Sequence, residues 1–316
     1  MLPDLRSGSD LNKQQHDSYS RSTTAATDPR EILMTVLVTG ATGAVGRHLV
    51  ATLLDAGLGA GAIRAITRKP GEANLPAAVE VVAADLSDYA TLGPDVFVGV
   101  DRAFVFPAPG VQALVDAALS HGVRRFTVLS SLAAAREFPR DEGSASQRHH
   151  SAVEAAVTDH TDAWTILRPG TFANNLLSWS WQIRTGAPIR APYVSSAQAP
   201  VHEHDVAEAA AQTLLADDYL GEAMAITGPA ALTRADQVAT IAAALDRDIP
   251  LVEISPEEFR AETAQFIPAP VVTMLLDYWR DTLMVPDVPR PVTPITGKPG
   301  RTLAEWAADH RSDFTG

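Results

Sequence analysis

From Val36 onward the apolar positions fall into two alternating textures. Short, mainly apolar runs begin at Val36–Val38 and recur at Ile63–Thr67, Val79–Ala84, Ala103–Phe106, Phe126–Leu129, Trp164–Leu167 and Met224–Ile226. Runs of that length without regular polar alternation predict strands buried on both faces. Between them, apolar residues return every three or four positions. Val45, Leu49, Val50, Leu53 and Leu54 lead to Gly57, a helix stop. Leu114, Val115, Ala118 and Leu119 mark one face of Val111–His121 before Gly122, and Ala152, Val153, Ala156 and Val157 mark one face of Ser151–Thr158. Strand and helix in regular alternation predict an α/β fold, a doubly wound parallel sheet with helices on both faces.

Past Phe172 the period is lost in a stretch holding Trp179, Trp181, Pro188, Pro192 and Tyr193. Helix returns at Val206–Leu215, where Asp205 is placed to cap it, and again after Ser255, Pro256 and Glu258, a complete capping box. That last helix leads into Phe266, Leu275, Tyr278 and Trp279. The expected division is accordingly a disordered, polar N-terminal tail (1–33) rich in Ser, Thr, Asp and Gln, a nucleotide-binding domain (34–171), and a smaller aromatic-rich substrate lobe (172–316) interleaved with the last sheet elements. Met34 stands just before the first strand, so translation could also begin there.

The first strand-to-helix junction carries the chemistry. In VLVTGATGAVGRHLV, Val36–Val50, three glycines recur at every third residue. Each lacks a Cβ where a tight turn, an approaching pyrophosphate or close helix-to-strand packing leaves no room for one. Gly40, Thr42, Gly43, Ala44, Val45 and Gly46 are therefore candidate dinucleotide contacts, with amides at the helix start facing the phosphates. At the end of the second strand, where NAD enzymes place an acid for the ribose hydroxyls, the sequence reads Thr67, Arg68, Lys69. Cations there favour the additional phosphate of NADP, unless Arg68 and Lys69 are merely solvated loop residues. Pro107, Ala108, Ser130 and Ser131 fall at the carboxyl ends of later strands, the edge at which such sheets bind ligands. Ser130 is the candidate nearest the reacting groups, or else a turn serine bonded to its own backbone.

Composition narrows the partners. The net charge is −13 with no basic run, which argues against a nucleic acid or an anionic membrane and for a small-molecule substrate. The chain has no cysteine, so thiolate chemistry is excluded. His202, Glu203 and His204 lack a further spaced ligand, and no metal is expected. No segment reads as a signal peptide or a membrane span, and a cytoplasmic location is expected for an NADP enzyme. Oligomeric state is left open.

The Gly-x-x-Gly-x-x-Gly spacing resembles the extended and atypical short-chain dehydrogenase/reductases. TILRPGTFANNLL (Thr165–Leu177), a histidine four residues before Glu154, and the closing segment through Trp306 and His310 sharpen this to a resemblance to the NmrA-like family over most of Met34–Leu245. That family holds NADPH-dependent quinone, dye and imine reductases as well as catalytically silent redox sensors. The resemblance implies that Asp85 and Leu86 lie on the adenine side, that Pro169, Gly170, Thr171 and Phe172 pass beside the nicotinamide, and that Asn175 matches a family asparagine. The Tyr-x-x-x-Lys pair of short-chain dehydrogenases is absent. Anchored on Glu154, Ser146 and His150 take those positions, and no tyrosine occurs between Tyr89 and Tyr193.

Without that pair the expected chemistry is hydride addition to a quinone, a dye or an imine/iminium. His150 is then the proton source, or else a solvated neighbour of His149. Phe172, Asn175, Trp179, Trp181, Tyr193, Phe266, Tyr278 and Trp279 are candidate pocket walls. The alternative function is a non-catalytic NADP-responsive regulator.

Overall fold

A computed structural model describes residues 34–315; the expected tail, 1–33, lies outside them. Seven parallel strands form the central sheet: β1 (Thr35–Val38), β2 (Ile63–Thr67), β3 (Glu80–Ala83), β4 (Val100–Val105), β5 (Arg125–Leu129), β6 (Trp164–Pro169) and β7 (Glu222–Ile226), in the order β3-β2-β1-β4-β5-β6-β7. The order reverses at β1, where Val36 pairs with Ile63 on one side and Arg102 on the other. Thr39, fully buried just past β1, splices that point: its hydroxyl donates to the Phe104 carbonyl (3.0 Å) and accepts from the Phe106 amide (2.7 Å).

Alternate strand residues feed two cores. Val36, Val38 and Phe104 pack under α1 (Ala44–Asp55), while Leu37, Ala103 and Val105 pack under α2 (Val111–Ser120) and α3 (Ala145–Thr158). The first layer is completed by α4 (Glu203–Leu215), whose Val206, Ala210 and Leu214 lie in the same core as Leu49 and Leu53 of α1. Each such leucine removed from water contributes about 2 kcal/mol. These close-packed apolar faces account for the parallel sheet.

Two expected helix starts differ from those observed. α3 begins at Ala145, capped by the Ser144 hydroxyl on the Gln147 amide (3.0 Å), and not at Ser151. Its first two turns are polar because they face a cavity and solvent, so they carry no apolar period. α4 begins at Glu203, capped by the His202 ring on the His204 amide, so Asp205 is not the cap. Asp205 is buried in the first turn and instead receives the Arg301 amide (2.7 Å) and guanidinium (2.5 Å), which fasten the C-terminal segment.

A third core lies beyond the sheet. It gathers Trp179, Ile183 and Ile189 with Val238, Ile241 and Leu245 of α5 (Arg234–Leu245), and with Trp306 and Phe314 near the C-terminus. The helix opened by the Ser255–Glu258 capping box, α6 (Pro256–Thr263), is followed by α7 (Ala269–Met284) and later α8 (Leu303–Asp309). The aromatics of 172–316 are dispersed among these elements. Trp179 and Trp306 are core, Trp181 is exposed, and Trp279 of α7 stacks on the buried Arg234 guanidinium at 3.9 Å. Among the described residues no helix is long and apolar enough to cross a membrane.

Candidate active site

The glycine turn sits at the carboxyl end of β1. Gly40 adopts φ +64°, and a Cβ there would stand 2.9 Å from Cγ of Phe106. A Cβ on Gly46 would stand 2.1 Å from the Gly40 carbonyl oxygen, so helix and turn touch backbone to backbone. Gly43 caps α1 without a side chain, and no acid lies in the first turn. The amides of that turn are thus open to an anion, which is what a dinucleotide diphosphate requires. Arg47, which sequence reasoning missed, ties the turn in place. Its guanidinium donates to the carbonyls of Thr42 (2.9 Å), Asn74 (3.1 Å) and Ala73 (3.1 Å), a task that has no sequence signature.

A cavity of about 450 Å³ opens from this turn, lined by Gly43, Ala44 and Val45 on one side and by Pro107, Ser130, His150, Pro169 and Phe172 on the other. Sequence separations of more than a hundred residues are thereby brought together at one sheet edge. Gly40, Thr42 and Gly46 shape the turn without lining the cavity. Arg68, Lys69, Asp85 and Leu86 stand outside it, at the ends of β2 and β3. Arg68 is exposed and without a salt bridge among the described residues, whereas Lys69 pairs with Glu72 at 3.0 Å on the surface. Hydrogen bonds from Ser87 hold the Asp85 carboxyl below the usual range, and the nearby Arg68 charge adds to this. The Leu86 carbonyl leaves no room for a Cβ at Gly110, which has φ +86°.

Behind the cavity lies a polar cluster. Ser130 is 3% exposed, and its hydroxyl donates to Glu154 (2.5 Å). Arg168 grips the same carboxylate with two hydrogen bonds, 2.8 and 2.7 Å. The Ser130 proton is thus engaged away from the cavity, unlike a turn serine bonded to its own backbone. His150 lines the cavity with its Nδ1 buried and unpartnered. Burial and the neighbouring His149 push its pKa down to about 4 against the pull of Glu154. It is neutral at pH 7, so the expectation of a pKa in the useful range for proton donation is corrected: desolvation outweighs the carboxylate.

A second, larger cavity of about 720 Å³ shares Ser131, Gly170 and Asn175 with the first. Its lining includes Phe138, Arg140 and Arg148, together with Met274 and Tyr278 of α7. The Tyr278 hydroxyl donates to Asp287, and burial together with that carboxylate raises its pKa well above the usual value. Of the expected pocket walls, Phe172, Asn175 and Tyr278 line the cavities. Trp179, Tyr193, Trp181, Trp279 and Phe266 do not: Trp179 belongs to the third core, and Phe266 is 75% exposed.

His202, Glu203 and His204 serve the start of α4. Glu203 lines the smaller cavity, where burial would raise its pKa but the adjacent His202 ring and a hydrogen bond from His310 (Nε2 at 2.7 Å) hold it well below the usual range. Among the described residues no group of three or more His, Asp or Glu side chains is arranged to hold a metal ion.

Residues 40–217 match the family described as NAD(P)H-binding. Over 287 residues the chain is 33% identical to the (4-alkanoyl-5-oxo-2,5-dihydrofuran-3-yl)methyl phosphate reductase of Streptomyces griseus, covering 88% of this chain and 99% of that protein. Over 290 residues it is 31% identical to the NAD(P)H azoreductase of Xenophilus azovorans, with the same coverage of 88% and 99%. Its fold matches the NADPH-dependent quinone oxidoreductase of Escherichia coli with a TM-score of 0.73 at 24% identity, over 87% of this chain and 99% of that one.

Proposed function

The chain belongs to the NAD(P)H-binding family, in keeping with its NmrA-like sequence features, and on that premise we propose that it is an NADPH-dependent reductase of a conjugated small-molecule electrophile. The observation that carries this reading is the junction of the two cavities at Ser131, Gly170 and Asn175. The smaller cavity would take the nicotinamide end of the cofactor, and the larger has the volume of a substrate site. When bound, the cofactor supplies hydride. The protein's part is placement: Pro169, Gly170 and Phe172 form the surface on which the two reactants meet, and holding them in contact supplies most of the rate.

No tyrosine–lysine pair occupies the helix that would carry it, and the histidine in the lysine's place is neutral. Substrates whose reduced form is delocalised suit such a site, because solvent can complete the protonation. The named substrates of both relatives are conjugated, an azo compound in one and an unsaturated lactone in the other. The deciding measurement is NADPH oxidation against quinones, azo dyes, iminium dyes and unsaturated lactones. If none oxidises NADPH while the cofactor binds tightly, the protein is an NADP-responsive regulator instead.

Two expectations accompany this reading. NADPH is expected to bind more tightly than NADH because Arg68, exposed at the end of β2, would pair with a 2′-phosphate, and Arg68→Ala narrows the gap by about 1–3 kcal/mol, the range of a charge-assisted bond; equal affinities for the two cofactors in the unmodified protein would refute the assignment. His150→Ala slows quinone turnover by less than about tenfold, below the usual contribution of a general acid. The pH profile of turnover shows no His150 ionisation between about pH 6 and 8, since its pKa lies near 4; a tenfold or greater loss with a profile that shifts in that window would return His150 to the role of proton donor.

A further inference from the structure

One stretch of the larger cavity's lining is fastened to the rest of the molecule by charge. Residues 137–142, between β5 and α3, contribute Phe138, Arg140, Asp141 and Glu142 to that lining. The stretch is flanked by left-handed backbone on both sides, φ 52° at Arg136 and 64° at Gly143, positions about which a short segment can turn. Among the described residues its main-chain hydrogen bonds reach no further than Ser144. The Asp141 amide donates to the Phe138 carbonyl (2.9 Å), the Glu142 amide to that of Pro139 (3.3 Å) and the Ser144 amide to that of Asp141 (2.9 Å), while the Phe138 amide donates to the Asp141 carboxylate (3.2 Å). Phe138, the one aromatic residue of the stretch, belongs to none of the three apolar cores.

What crosses to the body is a seam of side chains, and its partners all lie on α7 or in the few residues after it. Glu137 accepts two hydrogen bonds from the Arg290 guanidinium, one of them 2.8 Å long. Arg140 stands 3.8 Å from Asp281 and 3.9 Å from Asp287, within ion-pair range but beyond hydrogen-bond reach. Its guanidinium lies 4.0 Å over the ring of Phe138, which belongs to the same stretch, and 5.1 Å from that of Tyr278. Glu137, Arg290 and Asp281 are all partly exposed, and ion pairs in such surroundings are individually weak. A seam of this kind parts more readily than close-packed apolar contact would.

We infer that residues 137–142 are a hinged flap on the larger cavity: the flap turns about Arg136 and Gly143, and parting of its ionic seam with α7 and Arg290 admits and releases the substrate. The flap itself rests on the cavity and the seam. Its part in substrate passage rests on the reductase reading.

The chain has no cysteine, so Met274→Cys places a single thiol in the lining of the larger cavity, and its rate of reaction with monobromobimane reads access to that cavity without turnover. Adding Glu137→Gln or Arg140→Gln speeds labelling by about two- to fivefold, as loss of a weak ion pair allows. Raising sodium chloride from about 0.05 to 0.5 M does the same in the unmodified seam and much less in the Glu137→Gln/Arg140→Gln double variant, because salt screens only the charges that remain. A thiol at the exposed Gly59→Cys position controls for the reagent and labels at one rate in every background. A Met274→Cys rate that neither substitution nor salt changes overturns the flap. The second measurement ties the seam shut. Glu137→Cys/Arg290→Cys joined by a short bismaleimide keeps its NADPH affinity but reduces menadione about tenfold or more slowly than the same protein capped with N-ethylmaleimide, and equal rates in the two overturn the role in substrate passage. If the capped protein reduces neither menadione nor any other electrophile, the reductase reading fails, and the labelling rates still decide the flap.

Discussion

Gly46→Ala abolishes cofactor binding at micromolar NADPH and lowers the stability of the whole domain. The added methyl would lie 2.1 Å from the Gly40 carbonyl oxygen and 2.7 Å from Cα of Ala41, and both are backbone atoms with no rotamer to yield. The helix must therefore shift away from the turn. Displacing α1 also disturbs Leu49 and Leu53, which are fully buried against the sheet. Overpacking of this kind costs about 3 kcal/mol, so we expect affinity to fall by about 100-fold and the urea midpoint to drop with it. Gly59→Ala is the control, because a Cβ there meets nothing within 4 Å; its stability should stay within about 0.5 kcal/mol of the unmodified protein. NADPH fluorescence titrations on both variants decide the matter, and a Gly46→Ala protein that binds normally would show that the turn can relax.

The second large effect belongs to the Glu154–Arg168 pair. Removing the carboxylate leaves the guanidinium largely buried and deprives Ser130 of its acceptor, so Glu154→Ala is expected to destabilise the fold by about 3 kcal/mol. The double variant Glu154→Ala/Arg168→Met should recover much of that loss, because it removes the orphaned charge as well. Chemical denaturation of the two proteins separates the cases. If both lose the same stability, the cost is the packing of the glutamate stem and not the stranded charge.

Most of the sheet was legible because its strands are buried on both faces and its helices on one, so period and burial coincide in the sequence. The glycine turn was legible because its geometry demands glycine: Gly40 has a positive φ with the Phe106 side chain against it, and Gly46 meets the backbone of Gly40 and Ala41. Legibility failed where local sequence and tertiary role part company. The first turns of α3 are polar because they face a cavity, so nothing in their own period announces a helix. Asp205 has the composition of a cap, yet the Arg301 that claims it is 96 residues away in sequence. His150 lines the smaller cavity, but its titration is not legible in the sequence, because burial is not written in neighbouring residues. Aromatic character alone does not separate Tyr278, which lines a cavity, from Trp179, which fills a core.

The way α7 is held bears on how this protein changes over generations. It supplies a wall of the larger cavity while burying only Val272, Leu276 and Thr282, and it contributes no strand to the sheet. The glycine turn, by contrast, has backbone atoms within 3 Å of where a Cβ on Gly46 would stand. Mutations in the exposed turns of α7 can therefore accumulate and be sorted by substrate, at little risk to folding or to hydride supply. Substrate preference in such a molecule is free to drift, and close relatives can share a cofactor while differing in what they reduce.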